Sequence, residues 1–223
     1  MSEVASRFIV ATLFLAIFIY VAVPSAAARE TTPGKERWPI KTSLPTGSVA
    51  KKAIPLSDLL NLPDPPNVRR NDALYQSNRI PSFPNALAVK EGDLITTTGW
   101  LHLVASETDG DYHIQVSESR NSGDHCLVVE VPLGDPEFVS SESLRRQVEQ
   151  VRAFIREKLL VGKEPSAAGS VMNHPVSVRI TGQLFYDDAH VGDHPRGKKG
   201  MHAATLWELH PVTVIEFAPS SGM

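Results

Sequence analysis

The chain has 223 residues, 42% of them hydrophobic, and a formal net charge of -3. This length allows one ordinary hydrophobic core with residues left over for tails. The charge excludes a global basic field of the kind that indicates nucleic acid or an acidic membrane as the partner. A single cysteine, Cys126, excludes an internal disulfide, and its apolar neighbours predict a buried core residue.

The N-terminus has the charged, apolar and small-residue order of a secretory signal. Arg7 precedes an apolar run from Phe8 to Val23, and Ala26-Ala27-Ala28 suits the cleavage site. We therefore expect residues 1–28 to be a signal peptide and the mature chain to be periplasmic or extracellular, with no integral membrane span after cleavage. The alternative is an N-terminal membrane anchor, for which the apolar run is short against the usual span of about 20 residues.

Residues 29–87 are rich in proline and polar residues, which breaks any long regular element. We predict an extended, partly ordered segment that packs on the main domain through apolar side chains, and a disordered linker is the alternative. The side chains expected to make that contact are Trp38, Ile40, Leu56, Leu59 and Leu60. The main domain is predicted over 88–218, followed by a short tail at 219–223.

Five segments of the main domain are rich in β-branched residues or alternate apolar with polar residues, which predicts strands. They are 93–106, 111–119, 125–132, 175–187 and 206–217. The second segment alternates strictly, with Asp111 and His113 on its polar face, and we expect it to be half-buried.

Between the third and fourth segments the apolar period changes to that of a helix. Its stripe is Leu144, Val148, Val151, Ile155 and Leu159. Ser140 or Ser141 is the expected N-cap and Gly162 ends the pattern, which predicts an amphipathic helix of about 20 residues.

The resulting order, β-β-β-α-β-β, predicts a mainly β chain with an OB-fold-like small barrel, one helix that plugs the barrel, and the irregular Pro-rich segment before it. Gly99 and Gly182, inside two of the strands, are expected at sharp bends or bulges of a closed barrel. An open α+β sheet is the alternative architecture.

Several histidines lie beside carboxylates. The fourth strand ends where the fifth begins if the two form a hairpin, which brings Asp187, His190, Glu208 and His210 to one barrel end. Whether Asp111 and His113 join them depends on strand register. Imidazole and carboxylate ligands suit a divalent metal such as Zn. The metal-ligand candidates are Asp111, His113, Glu130, Asp187, His190, Glu208 and His210.

The same residues also suit acid/base chemistry, in which a carboxylate orients an imidazole. The catalytic candidates are His113, His190, His210 and Glu208. An ordinary polar strand face, without any site, accounts for these residue types as well.

The long loop 188–206 concentrates basic residues and glycines. In OB-folds the corresponding loop commonly frames the ligand surface, and a basic loop there suits an anion. The predicted ligand-binding residues are Arg196, Lys198, Lys199 and, as a stacking face, Trp207. A solvated flexible loop and a core tryptophan are the alternatives.

Five short motifs occur in order along the mature chain: KERWPIKT, DGDYHIQV, CLVVEVP, VRITGQLFYDDAH and WELHPV. Together they resemble those of a group of exported bacterial proteins that has no established activity. The resemblance implies export and a single domain that includes the N-terminal segment, and it names no reaction. Its polar motif positions are Asp109, Asp111, His113, Glu130, Asp187, His190, Glu208 and His210. The insert HVGDHPRGKKGMHA departs from the group pattern, which puts the loop histidines in doubt as shared features.

The leading hypothesis is an exported OB-like module that binds an oligonucleotide, a glycan or a small anion at the barrel end framed by loop 188–206. The first alternative is a metal-dependent hydrolase, of the phosphodiesterase or nuclease type, that uses the Asp/Glu/His cluster. The second is a structural envelope protein.

Overall fold

The computed structural model describes residues 36–47, 51–193 and 196–219. The strands are β1 (Lys51–Ala53), β2 (Leu94–Ser106), β3 (Tyr112–Ser117), β4 (Cys126–Val131), β5 (Ser170–Tyr186) and β6 (Ala203–Phe217). The helices are α1 (Trp38–Lys41), α2 (Leu56–Leu60) and α3 (Glu142–Phe154). The predicted signal peptide lies outside these residues. No helix in the described ranges is long and apolar enough to span a bilayer.

Five of the strands close into a barrel. β2 pairs antiparallel with β3 and β3 with β4, β4 pairs in parallel with β6, and β5 pairs antiparallel with both β6 and β2. The short β1 adds in parallel to β2. The prediction of a mainly β, OB-like small barrel with one long helix is confirmed, and the open sheet is excluded.

The polar face of β3 differs from the prediction, because every residue of this strand is buried. Loop residues between β5 and β6 cover that face. Gln115 accepts a hydrogen bond from the Lys198 backbone N–H at 2.8 Å and donates to the Met201 carbonyl at 3.1 Å. It also contacts the thiol of Cys126, whose predicted burial is confirmed. The expectation of a half-buried strand is therefore wrong.

Two glycines allow close approaches inside the barrel wall. Gly182 lies at register shifts between β5 and β6, and a Cβ there would lie 2.9 Å from Cβ of Leu209. A Cβ on Gly99 would lie 2.6 Å from Leu56 of α2, whereas the register shift of β2 lies further along the strand. Gly182 thus lies at a bulge, as predicted. Gly99 does not, and its missing side chain instead allows α2 to pack closely against the barrel.

Helix α3 begins at its serine cap, since the Ser141 hydroxyl accepts a hydrogen bond from the Leu144 N–H at 3.3 Å. The chain continues beyond α3 as a single π-helical turn, Ile155–Leu159, so the predicted helix is α-helical only in its first part. The apolar stripe packs in the same core as the barrel strands. Arg152 fixes the helix to the barrel, because its guanidinium donates to the carbonyls of Gly110 and Val131.

The Pro-rich segment packs on the barrel through Ile40, Leu56, Leu59 and Leu60, all of which are buried. Arg37, in the turn before α1, forms an ion pair with Glu91 at 2.7 Å, and both side chains are fully buried. This contact fixes α1 against the barrel end. It consequently places Lys41, the last residue of α1, beside the polar cluster described below.

Candidate functional site

A cleft of about 430 Å³ opens at the barrel end between the β5–β6 loop, the β2–β3 turn and α1. Seven carboxylates, four Lys or Arg side chains and three histidines line it. The described carboxylates therefore outnumber the permanent cations in the wall. Such a field favours a cation over a bare anion.

Glu130 lies at the centre of the cleft floor between two histidines. Its Oε1 is 3.0 Å from Nδ1 of His113, its cross-strand partner in β3. Its Oε2 is 3.1 Å from Nδ1 of His210. These two residues are neighbours because β4 and β6 run in parallel and Val129 pairs with Leu209, which precede Glu130 and His210. Oε1 of Glu107, from the β2–β3 turn, lies 3.5 Å from the same Nδ1 of His113.

Asp111 and His210 form the deepest part of this cluster. Oδ2 of Asp111 is 3.4 Å from Nε2 of His210, and the two residues are 1% and 0% exposed. Among the described residues, neither that oxygen nor either ring nitrogen of His210 has a hydrogen-bond partner. Each ring nitrogen nevertheless lies beside a carboxylate, Nδ1 beside Glu130 at 3.1 Å and Nε2 beside Asp111 at 3.4 Å. Buried polar atoms are mostly hydrogen-bonded, and these three atoms belong to a few in the described residues that are not.

Two groups of side chains have the compactness of a metal site. Asp111, Glu130 and His210 offer ligand atoms that all lie within 4.8 Å of one another, and so do Glu107, His113 and Glu130. Ligands bonded to one Zn ion at about 2.0–2.2 Å lie a little over 3 Å apart. The 3.4 Å between Asp111 and His210 is therefore already close to the separation expected across an ion.

A second cluster lies on the rim, on the turn Asp188–His190 and the loop after it. Nδ1 of His190 is 2.5 Å from Oδ2 of Asp187. The guanidinium of Arg196 contacts that same carboxylate at 2.8 Å and also Glu208. Glu208 in turn lies 3.9 Å from His210. The rim cluster and the floor cluster are thus connected through Arg196 and Glu208.

Two lysines complete the wall. Lys41 lies 3.5 Å from Asp109, with both side chains nearly fully buried, and Lys198 lies 3.1 Å from Glu107. Burial lowers the pKa of Lys41, but the carboxylates around it, Asp111 and Glu130 foremost, raise that pKa above its ordinary value. Lys41 is therefore a charged group held inside an acidic cluster.

The floor carboxylate is ionised. Burial raises the pKa of Glu130, but His113 and His210 outweigh it and hold that pKa well below its ordinary value. Burial lowers the pKa of His210, whereas the carboxylates of Asp111 and Glu130 raise it above its ordinary value. Each partner thus stabilises the charged form of the other.

The pKa values of the rim groups are shifted for related reasons. Burial raises the pKa of Asp187, but Arg196 and His190 bring it below its ordinary value. The hydrogen bond with Asp187 raises the pKa of His190. Burial disfavours the charged form of Asp188 and raises its pKa to about 6. Arg37 and the hydrogen bond from the Asp72 backbone N–H lower this pKa, but they offset only part of the effect of burial.

The structure brings Asp111, His113, Glu130 and His210 into the floor cluster, and Asp187, His190 and Glu208 into the rim cluster. Of the predicted ligand-binding residues, Arg196 and Lys198 line the cleft, while Lys199 is exposed outside its lining. The predicted role of Trp207 in ligand binding is wrong. This tryptophan is 1% exposed, packs on Phe83 and Tyr186, and donates to the Pro63 carbonyl, so it offers no stacking face to a ligand.

Sequence reasoning missed Glu107 and Lys41 as members of the site. Glu107 lies in the β2–β3 turn, where polar residues are expected for the turn itself. Lys41 lies in the Pro-rich segment, where no periodicity assigns it to a face. The one available signal for Lys41 was its place in the motif KERWPIKT.

No protein-family model and no curated protein matches the sequence. Among solved structures, asparaginyl-tRNA synthetase of Entamoeba histolytica is similar, both alone and in complex with asparaginyl-adenylate. The two alignments cover 61% and 60% of this chain at 18% and 15% identity, with TM-scores of 0.30 and 0.31. Each covers 23% of the synthetase chain, so this chain matches less than a quarter of that enzyme's length. A likeness this distant carries no inference about ligand or activity.

Proposed function

We propose that the chain is an exported OB-like binding module that holds a divalent metal ion on Asp111, Glu130 and His210, and that the ion and Arg196 together bind an anionic ligand. The observation that supports this most strongly is the compactness of the buried group, because ligand atoms of Asp111, Glu130 and His210 all lie within 4.8 Å of one another. Export rests on the predicted signal peptide alone.

A cation ligated by these atoms would take the place of the contacts of His210 with Asp111 and Glu130. An unpartnered buried carboxylate oxygen or imidazole nitrogen forgoes its hydrogen bonds to water, which costs about 1–3 kcal/mol for each group. An ion ligated by both would satisfy them and would offset the excess of carboxylates in the wall. The Glu107 group is less suited to an ion, since His113 already has hydrogen bonds to Glu130 and Gln115 and Glu107 pairs with Lys198 at 3.1 Å. We therefore assign the ion to the Asp111 group.

The ligand of the module would be an anion that completes the coordination of the ion. One guanidinium nitrogen of Arg196, Nη1, is buried in the cleft wall without a partner among the described residues. Arginine is suited to phosphate and carboxylate oxygens, which it meets in a planar fork. Lys198 lies on the same wall. An oligonucleotide phosphate, an acidic glycan and a small anion share this oxygen chemistry.

Calorimetric titration of Zn²⁺ and Mn²⁺ into the metal-stripped mature chain tests the ion. We expect one ion per chain, and we expect Asp111→Asn and His210→Gln each to weaken binding by at least about tenfold, since each removes a ligand. Asp58→Asn, which removes the same charge from the exposed surface of α2, should bind like the wild type. Equal binding by all four proteins would contradict the assignment.

Binding of a fluorescent oligothymidylate, with heparin and inorganic phosphate as competitors, tests the anionic ligand. We expect binding by the metal-loaded chain, loss of binding in EDTA, and weaker binding by Arg196→Gln. Oligonucleotide binding that EDTA leaves unchanged would contradict a ligand held through the ion. Competition by heparin but not by phosphate would favour a polymeric ligand.

A further inference from the structure

The rim of the cleft carries a histidine–aspartate pair arranged like a proton donor. Asp187 is nearly buried and holds Nδ1 of His190 at 2.5 Å, while 47% of the His190 side chain is exposed. In the part of the chain that the structure describes, no hydrogen bond occupies Nε2 of this ring. A carboxylate that fixes one ring nitrogen leaves the other directed outward for proton transfer.

This pair lies in the same cleft as the proposed ion. Oδ2 of Asp187 contacts Arg196 at 2.8 Å, and Arg196 also contacts Glu208, which lies 3.9 Å from His210 of the floor. A group bound between Arg196 and the ion would therefore meet His190 at the rim. The cleft volume of about 430 Å³ leaves room for a phosphodiester and its two flanking groups.

We propose that the module hydrolyses phosphodiesters, with His190 as the proton donor to the leaving oxygen. This rests on the proposed ion site. A water molecule held at the ion would lose a proton to solvent and attack phosphorus, and a new P–O bond would form. The P–O bond to the leaving group would break, its electron pair would go to the leaving oxygen, and Nε2 of His190 would protonate that oxygen. The products are a phosphomonoester and an alcohol, and His190 would regain its proton from solvent.

The charges around the cleft suit this reaction. Metal ions and guanidinium groups neutralise the charge that develops on the equatorial oxygens in phosphoryl transfer. Arg196 offers its unpartnered Nη1 for this, and Lys198 lies beside it. The groups that bear on His190 are Asp187 and Asp193, which raise its pKa, and Arg196, which lowers it. The net rise keeps a proton on the ring at higher pH than usual.

A proton donor matters only when the leaving oxygen needs a proton. An alkoxide from a dinucleotide is a poor leaving group, whereas nitrophenolate is a stable anion and departs without one. His190→Gln should therefore lower kcat/KM for thymidylyl-thymidine by about 10²–10⁴-fold, and for bis(p-nitrophenyl) phosphate by less than about tenfold. Zn²⁺ or Mn²⁺ affinity, measured on the same sample, should not change.

The chain supplies a matched control in His202, whose Nδ1 lies 2.8 Å from Asp124 outside the cleft lining. His202→Gln should leave both substrates unaffected. Metal binding without turnover of either substrate by the wild type would overturn the hydrolase while leaving the binding module intact. Equal losses on the two substrates in His190→Gln would overturn its role as donor. A chain that binds no metal would instead contradict the proposed function.

Discussion

Arg37 and Glu91 form a two-pronged ion pair inside the protein, with 2.7 Å between each of two guanidinium nitrogens and one carboxylate oxygen. Arg37 also donates to the carbonyl of Tyr186, and Glu91 accepts from the Tyr186 backbone N–H. The pair therefore joins the N-terminal segment to the end of β5, directly before Asp187. The rim of the cleft depends on this contact for its position.

Breaking that pair should be strongly destabilising, because it leaves one buried charge without its partner. We expect Arg37→Met to lower the free energy of unfolding in urea by about 3–5 kcal/mol. Arg37→Met/Glu91→Gln should lose less than the sum of the two single changes. Arg146→Met removes an arginine from the exposed pair with Glu142 on α3, and it should change stability little. Additive losses at Arg37 and Glu91 would show that the two charges do not support each other.

The bulge at Gly182 should be intolerant of a side chain. A Cβ there would lie 2.9 Å from Leu209 and 3.1 Å from the Pro211 carbonyl, and neither neighbour is a flexible side-chain end. We expect Gly182→Ala to cost about 1–3 kcal/mol by chemical unfolding. Gly134→Ala is the control, since the three atoms nearest to its Cβ would all belong to the flexible Glu149 side chain. Equal losses of stability from the two substitutions would contradict the claim that the close packing at Gly182 excludes a side chain.

Stability should fall as pH rises through the titration of Asp188. The pKa of this carboxyl is raised from 3.8 to about 6 by burial, so the folded chain binds its proton more tightly than the unfolded chain. The contribution is favourable at low pH and is lost between about pH 4 and 6. Asp188→Asn should remove this dependence and be more stable at pH 7 by about 1–3 kcal/mol.

Urea unfolding of both proteins at pH 4.5 and pH 7 measures the effect. A stability difference between wild type and Asp188→Asn that does not grow with pH would contradict the raised pKa.

The positive charge of Lys41 should weaken the binding of the metal ion. Its ammonium group lies 3.5 Å from Asp109, and the charges of Asp111 and Glu130 act on it. Removing this cation takes away a repulsion from a bound divalent ion, so Lys41→Met should bind Zn²⁺ about tenfold more tightly. The same change should destabilise the metal-free chain, because the carboxylates then lack a counter-charge.

Calorimetry and thermal unfolding in EDTA measure these two effects, with the exposed Lys90→Met as control. Weaker ion binding by Lys41→Met would show that Lys41 holds the ligands in place rather than competing with the ion.

The order of the barrel elements could be predicted because each strand and the helix carries its own period. The switch from alternation to the stripe of Leu144 and Val148 and back again is a local signal. The extension of β5 to Ser170 is not local, since it depends on pairing with Val104 of β2 beyond a register shift. The π-helical turn after Phe154 has no sequence period either.

The site could be predicted in part. The alternating pattern predicted that Asp111 and His113 share one strand face. The expected hairpin of the last two strands predicted that Asp187 lies near Glu208. The contact between Glu130 and His210 depends on parallel pairing of β4 with β6, which are separated in sequence by α3 and β5. Burial of the cluster depends on the loop that covers Gln115. Neither relationship leaves a periodic signal in the sequence.

The most direct test of the central claim is an anomalous difference map from crystals of the mature chain soaked with ZnCl₂. The proposed function predicts one strong peak within about 2.0–2.2 Å of ligand atoms from Asp111, Glu130 and His210. A peak held by Glu107, His113 and Glu130 without Asp111 or His210 would contradict the assignment. So would an absence of density in the cleft at a zinc concentration that saturates the protein in solution.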